Sequence, residues 1–325
     1  MTHKLIPLDS KNEWKDALKG IDHSFGHTWD HCYSMYLTTG HDTYLYCFEK
    51  DDSKIVSPVI EREFSGIKDI SKPFGFSGFT GDYSHNDFLS EWENFVDSKG
   101  YVSGYLGLHP VYDKSSLFDS SEIVHYNNAY VLGLKPDINE ILAKMARKRR
   151  QQFNDWQEIA SNFTENRFEL ERFFLKHYDD FLKRKKAKSF YFFSPETITY
   201  LFSLDNIFVA GVNVSGKIVA ATYFAYTYCM GDALYHLSLP GAEKYSAPLL
   251  WYGAKQLKSL GIPALNLGGG FNGIAKFKKR FGTKTYPLKA VKQIYRKDIY
   301  DSLCKEVNID PNDDEGFFPA YRKNY

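Results

Sequence analysis

Ala264-Leu-Asn-Leu-Gly-Gly-Gly-Phe-Asn-Gly-Ile-Ala-Lys-Phe-Lys-Lys-Arg-Phe-Gly282 is the stretch from which the rest of the chain is placed. Residues 264–267 read as a short strand, and Gly268 to Gly270 allow close backbone approach. Ile274, Phe277 and Phe281 then recur at helical spacing, and Gly282 ends that short helix. Immediately upstream, Leu249, Leu250, Gly253, Ala254, Leu257 and Leu260 line one helix face. Pro248 sits where a first-turn proline is tolerated, and Gly261 is the stop. Further back, Ile207 to Val214, Ile218 to Tyr228 and Ala233 to Leu239 read as three strands, the first two joined by a Ser215-Gly216 turn. Tyr286 to Tyr295 supplies the last strand or strands, so the pattern from Asn206 onward is βββαβαβ.

Outward from this block the chain is less regular. Asp137 can cap a helix carrying Ile138, Ile141, Leu142 and Met145, which continues through Arg147-Lys-Arg-Arg150 to Phe153, Trp156 and Ile159. A second helix covers Phe168 to Lys186, and Ser194-Pro195-Glu196 opens a third. In the first third, Asp42 to Glu49 and Lys54 to Glu61 read as a hairpin turning at Asp51-Asp-Ser53. A helix from Asp87 to Lys99 with a Gly100 stop precedes a strand over Tyr101 to Leu108. The expected domains are 1–135, 136–304 and a tail, 305–325, docking back on the first domain. In that tail Asp310 to Gly316 reads as surface loop, and Phe317-Phe-Pro-Ala-Tyr321 is apolar enough to dock.

The chain's 325 residues exceed what one small core organises, and with 43% hydrophobic and 17% aromatic residues it has ample surface to bury. A small disulfide scaffold and a disordered chain are excluded. Lys plus Arg number 41 against 40 Asp plus Glu, a formal charge of +1, so the surface as a whole is not built to hold nucleic acid and no DNA partner is expected. Cys32, Cys47, Cys229 and Cys304 form no CxxC pair, which fits a reducing compartment. The first residues, Met1 to Pro7, lack the apolar stretch of a leader, and no run approaches the ~18 apolar residues of a membrane span. The expected location is the cytoplasm, peripheral to the inner face of the membrane at most. His23, His27 and His31 have a spacing that would align ligands on a helix, but Gly26 interrupts it and no carboxylate completes a site, so no metal is expected.

Leu234-Tyr-His-Leu-Ser238, Pro248-Leu-Leu-Trp251, Asn266 to Gly270 and above all Lys276-Phe-Lys-Lys-Arg-Phe-Gly282 resemble the C-terminal half of the FemAB-like transferases. Leu108-His-Pro-Val111, Phe181-Leu-Lys-Arg184 and Phe190-Tyr-Phe-Phe-Ser194 extend the likeness, which spans roughly Thr28 to Gly282 and includes a tail-like Phe317 to Arg322. The members it looks most like are those encoded with bacterial surface-polysaccharide genes. The resemblance implies an α/β (α+β) chain of two GNAT-like (N-acetyltransferase-type) domains in tandem, with a cleft between or beside them. It further implies transfer of an acyl or aminoacyl group to the amine of an amino-sugar, nucleotide-sugar or lipid-linked envelope precursor. The donor is acyl-CoA, an acyl carrier protein or aminoacyl-tRNA. Coenzyme A enzymes of this kind grip pyrophosphate with a Gln/Arg-x-x-Gly-x-Gly/Ala loop, whereas Pro240 to Ala247 has one glycine and no such pattern, which shifts weight toward aminoacyl-tRNA or another carrier. Trp29 to Thr39 also lacks the lysine with which a relative holds a substrate phosphate.

Amide formation needs a free amine, a polarised carbonyl and a place for the leaving group's charge. Lys276 and Lys279 lie at i, i+3 and Lys276 and Arg280 at i, i+4, so two or three of these cations can converge on one anion. The bland reading is a solvated helix face. The resemblance places Arg184 at a substrate phosphate and Tyr235 toward the cleft. The runs Arg147 to Arg150 and Lys183 to Lys188 could follow a tRNA stem or a sugar diphosphate, or could simply be solvated. His109 and His236 are candidate proton shuttles, with hydrogen-bonded core histidines as the alternative. Glu243 and Tyr245, in the loop after the third strand, could take up the ammonium proton and protonate the leaving group; ordinary loop polarity explains them equally. Phe74-Gly-Phe-Ser-Gly-Phe-Thr-Gly81 has too many aromatics for a phosphate cradle and is expected to shape an acceptor wall, with Asp82 and Tyr83 at its rim. The nearest rival within enzymes is a peptidoglycan-type aminoacyltransferase that uses charged tRNA, and the rival from outside enzymes is a non-catalytic module that binds a carbohydrate or lipid-linked precursor on a degenerate transferase fold.

Overall fold

Ala264–Gly269 is a strand and Asn272–Lys279 a helix in the computed structural model, which describes residues 2–154, 156–312 and 317–323. Gly231–Ser238 runs parallel to Ala264–Gly269, and the two are paired only at Gly231 with Leu265 and Asp232 with Asn266. Beyond those pairs the strands part. A parallel pair needs a crossover, supplied here by the Ser246–Ser259 helix. That helix buries Trp251, Ala254 and Leu257 against Phe224 and Leu265, and Leu249 against Ala210, Val212 and Ala220. Gly253 is what lets it lie close, because a Cβ there would stand 2.3 Å from the Phe224 ring.

The chain divides into two compact units, Met1–Asp22, Gly26–Tyr126 and Pro287–Tyr325 in the first and His23–Phe25 and Asn127–Tyr286 in the second. Strand order in the second is Ile123–Gly133, Ala264–Gly269, Gly231–Ser238, Lys217–Tyr226, Ile207–Val214 and Phe163–Thr164. The helices Arg167–Arg184 and Pro195–Phe202 bring Phe174 and Phe202 onto Tyr223, with ring centroids 4.3 and 4.5 Å away. In the first unit the order is Thr2–Pro7, Thr43–Lys50, Ser53–Phe64, Ile67–Ser71, Ser103–Leu108 and Lys284–Ile294. There, too, one pair is parallel: Ile67–Ser71 and Ser103–Leu108, joined through the Phe88–Lys99 helix and paired at Ile70 with Gly104 and Ser71 with Tyr105. Each unit therefore contains one strand–helix–strand crossover whose parallel strands pair over two residues. The high aromatic content is spent on cores such as that of Tyr46, Phe48, Phe79, Phe88, Trp92 and Phe95, where edge-to-face rings lie about 5–6 Å apart. The fold class is α/β, as the strand and helix periodicities lead one to expect.

Several elements differ from the sequence reading. The single helix expected from Asp137 through Ile159 is three, Ile138–Lys144, Arg147–Gln151 and Trp156–Ser161. Met145 is extended, and the Ala146 N–H donates to the Arg280 carbonyl instead of continuing the helix ladder. Thr2–Pro7, Ile67–Ser71 and Ile123–Gly133 are strands beyond those the pattern marks, and Lys297–Glu306 is a further helix, its Ile299, Tyr300, Leu303 and Cys304 at helical spacing. Of the loop expected over 310–316, residues 313–316 lie outside the described residues. Tyr321 is buried, its hydroxyl hydrogen-bonded to Asp69 Oδ2 at 2.9 Å and paired with the Ser103 hydroxyl at 3.0 Å.

Candidate functional site

The second unit's parallel strands leave an open edge. From Ala233 to Ser238 one side of the strand is paired to Lys217–Tyr226, while the other has already left Ala264–Gly269. Asp232 and Asn266 stand at the fork. The Asn266 side-chain amide donates to Asp232 Oδ1 at 3.0 Å, and its Oδ1 accepts the Gly268 N–H at 2.8 Å, fixing the turn by which the chain leaves the strand. Burial pushes the Asp232 carboxyl up to about 7 against the opposing pull of Asn266 and the Phe25 N–H. Two helices start just past the ends of these strands, Ser246–Ser259 and Asn272–Lys279, and neither has a side-chain cap at its N-cap residue. The first continues a single 3-10 turn, so the Ser246 N–H is already bonded to the Glu243 carbonyl and Pro248 carries none, whereas the second starts from extended Phe271 and leaves its first N–H groups and positive dipole end uncapped.

His236 lies on the open-edge segment, half-buried. Its Nδ1 is 2.8 Å from Thr222 Oγ1 and its Nε2 2.8 Å from Ser246 Oγ. Burial, with the nearby Lys185 charge, drives the imidazole down to about 4, so it is neutral at physiological pH. Neither Ser246 nor Thr222 shows in the sequence pattern. The register that opposes Thr222 to His236 is set by a bulge at Tyr223/Phe224, and Ser246 returns to the strand only through the tertiary turn of the loop.

Tyr235 points the other way, into a ring cluster with Phe193, Tyr223 and Tyr178 at 5.0, 6.0 and 6.1 Å, where burial raises its hydroxyl pKa well above the usual range. Arg184, exposed at the end of its helix, donates to the Ser238 carbonyl at 3.0 Å and so reaches the tip of the open-edge strand. Glu243 is exposed and Tyr245 half-buried in a single helical turn directly before Ser246. Lys276, Lys279 and Arg280 are exposed on the helix after the glycine turn. The lysine that bends inward is Lys278, which the spacing argument passed over. Its ammonium donates to the Gly269 carbonyl, and burial lowers it to about 8.

The basic run at 147–150 is divided by the fold. Arg147 is exposed, whereas Arg149 is buried with its guanidinium 4.5 and 4.4 Å from the ring centroids of Phe277 and Phe281. Arg150 donates to the carbonyls of Ala143 and Met145, closing the preceding helix. His109, Asp82 and Tyr83 belong to the first unit. His109 is buried, its Nδ1 accepting the N–H groups of Val111 and Tyr112 at 3.2 Å, and burial holds its pKa well below 6.5. Asp82 is exposed at the end of the Thr80–Asp82 strand, and Tyr83 donates to Asp87. In the aromatic–glycine loop before them Phe79 is core, and Gly78, at φ +145°, approaches so closely that a Cβ would meet the Gly107 carbonyl oxygen at 2.3 Å. His27 and His31 bond through Nε2 to the carbonyls of Gly78 and Phe74 at 3.0 and 2.7 Å. Among the described residues no three His, Cys, Asp or Glu side chains gather into a group that could hold a metal ion. No helix among them is long and apolar enough to cross a membrane.

No protein-family model and no curated protein sequence matches the chain. Solved structures do. The crystal structure of FemX aligns at TM-score 0.70 and 12% identity, over 93% of this chain and 99% of that one. The C-terminal domain of a protein named as a lysylphosphatidylglycerol synthetase from Agrobacterium fabrum aligns at 0.57 and 15% identity, over 91% and 96%. L-PGS from Bacillus licheniformis aligns at 0.56 and 16% identity, over 86% and 91%. At these identities the likeness establishes the fold, and it covers both units. The chain has the α/β fold of FemX and of these two structures over nearly its whole length, the fold that its resemblance to the FemAB-like transferases implies.

Proposed function

We propose that the protein is an acyltransferase that moves an acyl or aminoacyl group from a carrier ester or thioester to the amine of an amino-sugar, nucleotide-sugar or lipid-linked envelope precursor, forming an amide. The observation that supports this most is the fork in the second unit, where the Ala233–Ser238 edge that has left Ala264–Gly269 has no further strand pairing among the described residues and the Asn272–Lys279 helix starts uncapped after the glycine turn. A carrier's carbonyl laid along that edge meets backbone N–H groups, and the start of the Asn272–Lys279 helix favours a phosphate on the carrier. Lys278, lowered only to about 8, is still a cation at pH 7 and stands at the glycine turn, where an ammonium can stabilise the oxyanion of a tetrahedral intermediate. Lys276, Lys279 and Arg280 supply exposed charge on the same helix and its end, and Arg184 at the tip of the Gly231–Ser238 strand.

Among donors, aminoacyl-tRNA is favoured by the Pro240 to Ala247 loop, which lacks the glycine pattern of a coenzyme A grip, and by the exposed cations. Two of the aligned structures are named for lysylphosphatidylglycerol synthesis or its abbreviation, which is aminoacyl chemistry. The test is to incubate the purified protein with acetyl-CoA, bulk aminoacylated tRNA and a panel of amino-sugar nucleotides, following ligand-induced shifts in Tm and amide products by mass spectrometry. An amide product with either donor class supports transfer and identifies the donor. A Tm shift with a sugar nucleotide, together with no product from any donor, would replace this reading with a binding module.

A further inference from the structure

Ser246, His236 and Thr222 form one continuous hydrogen-bonded chain, both links 2.8 Å long. Each member is fixed by a different element. Thr222 is fully buried on Lys217–Tyr226 and is the direct cross-strand partner of His236. His236 lies on the part of Gly231–Ser238 that has left Ala264–Gly269, and Ser246 is the half-buried first residue of the crossover helix. A threonine hydroxyl does not titrate near neutral pH, so one ring nitrogen is pinned by a partner of fixed charge and the other is left to the serine. The Phe181 ring, 6.5 Å away and edge-on, flanks the imidazole.

We propose that Ser246 is a catalytic residue of the acyl transfer described above, relaying the proton from the attacking amine to the leaving group, with His236 and Thr222 as positioning residues that act through it. The inference rests on that transferase reading. At rest the His236 Nδ1–H donates to Thr222 and Nε2 accepts the Ser246 O–H. The amine attacks the donor carbonyl, forming the C–N bond and a tetrahedral intermediate with N⁺–H and O⁻. Ser246 Oγ takes the proton from nitrogen as its own passes to His236 Nε2. When the carbonyl re-forms and the C–O or C–S bond breaks, that imidazolium returns the proton through Ser246 to the leaving oxygen or sulfur. No external oxidant or acid is needed, and the enzyme ends as it began. Burial suits the relay, because the imidazolium is made only transiently and is then a strong acid toward the leaving group.

The full-length protein and its Ser246→Ala and His236→Gln variants are to be compared with two donors of the same acyl group. One is the acetyl-CoA or aminoacylated tRNA that wild type accepts, and the other is the corresponding p-nitrophenyl ester, whose leaving group departs without a proton. Each variant is expected to lose about 100-fold in kcat with the carrier donor at little-changed KM, and less than about 5-fold with the p-nitrophenyl ester. Equal losses with both donors, or none with the carrier donor, would overturn the relay while leaving the transferase reading standing. A wild-type protein that transfers from no donor overturns both. Ring ¹⁵N shifts of His236 in the unliganded wild type test the chain without any substitution: an unprotonated Nε2 and a protonated Nδ1 support it, and the Nε2–H form contradicts it.

Discussion

Two titrating side chains a few residues apart on one strand respond to burial in opposite ways. Asp232 has its Oδ1 bonded to Asn266 and is drawn on by the Phe25 N–H, yet burial outweighs both. Its folded pKa, about 7, lies above the ordinary ~4 of an unfolded aspartate, so the folded state holds the proton more tightly. The stabilising effect is full below about pH 4 and is lost as the pH rises through about 7. Asp232→Asn, which cannot ionise, should therefore gain on wild type between pH 5 and pH 8, by ~1–3 kcal/mol in urea denaturation. A gap between variant and wild type that is the same at both pH values would show that Asp232 does not titrate in this range. His236 runs the other way: depressed to about 4, it contributes stability above its ordinary ~6.5 that disappears as the pH falls through about 4.

Arg149 acts at the scale of elements. It belongs to the five-residue helix Arg147–Gln151, and successive side chains on a helix are turned about 100° from one another, so a run of four cations cannot all face water when one side packs on protein. The one turned inward lies between Phe277 and Phe281 and donates to the Phe277 carbonyl at 3.2 Å, tying this short helix to the one that carries Lys276 to Lys279. Burial and the neighbouring Arg280 lower its pKa only to about 10, so it remains charged. Arg149→Ala should destabilise by ~2–4 kcal/mol through lost packing, cation–π attraction and an unpaired carbonyl, and Arg149→Lys by less. Chemical denaturation checks this, and a loss below ~0.5 kcal/mol would mean that other contacts hold the Asn272–Lys279 helix.

For the molecule as a whole, the decisive feature is the path of the chain, which completes its first unit with residues 287–325, after the second has been made. The Lys284–Ile294 strand pairs with Ser103–Leu108, and Gln293 accepts from the buried Trp92 indole at 2.9 Å. The tail then seals the buried Asp69, which receives Arg62 at 2.7 Å, the Tyr321 hydroxyl at 2.9 Å and Arg322. Tyr321→Phe removes a hydrogen bond to a buried carboxylate and should lower stability by ~1.5–3 kcal/mol. Deleting residues 317–325 should cost more, because Asp69 then also loses Arg322. Thermal denaturation of both variants tests this; a deletion no worse than Tyr321→Phe would show that the Arg322 pair contributes nothing.

Local pattern alone determined much of this protein. Alternation and turn residues located the hairpins and helical spacing found the crossover helix, while the tandem fold came from the resemblance carried by the glycine turn and Lys276 to Gly282. Such signals are legible because they arise between residues within a turn or two of each other. They miss what depends on partners far apart in the chain. The likeness of the two units lies in element order, each with one briefly paired parallel crossover, and not in any repeated sequence. The side-chain chain Thr222–His236–Ser246 rests on a bulged register, the inward turn of Lys278 and Arg149 on packing, and the raised Asp232 on burial at the fork. Sequence identified His236, Arg184, Lys276, Lys279 and Arg280 as candidates but not Ser246, Thr222 or Lys278; only the tertiary structure decided which are buried and joined, because desolvation and hydrogen-bond geometry are properties of the assembled neighbourhood.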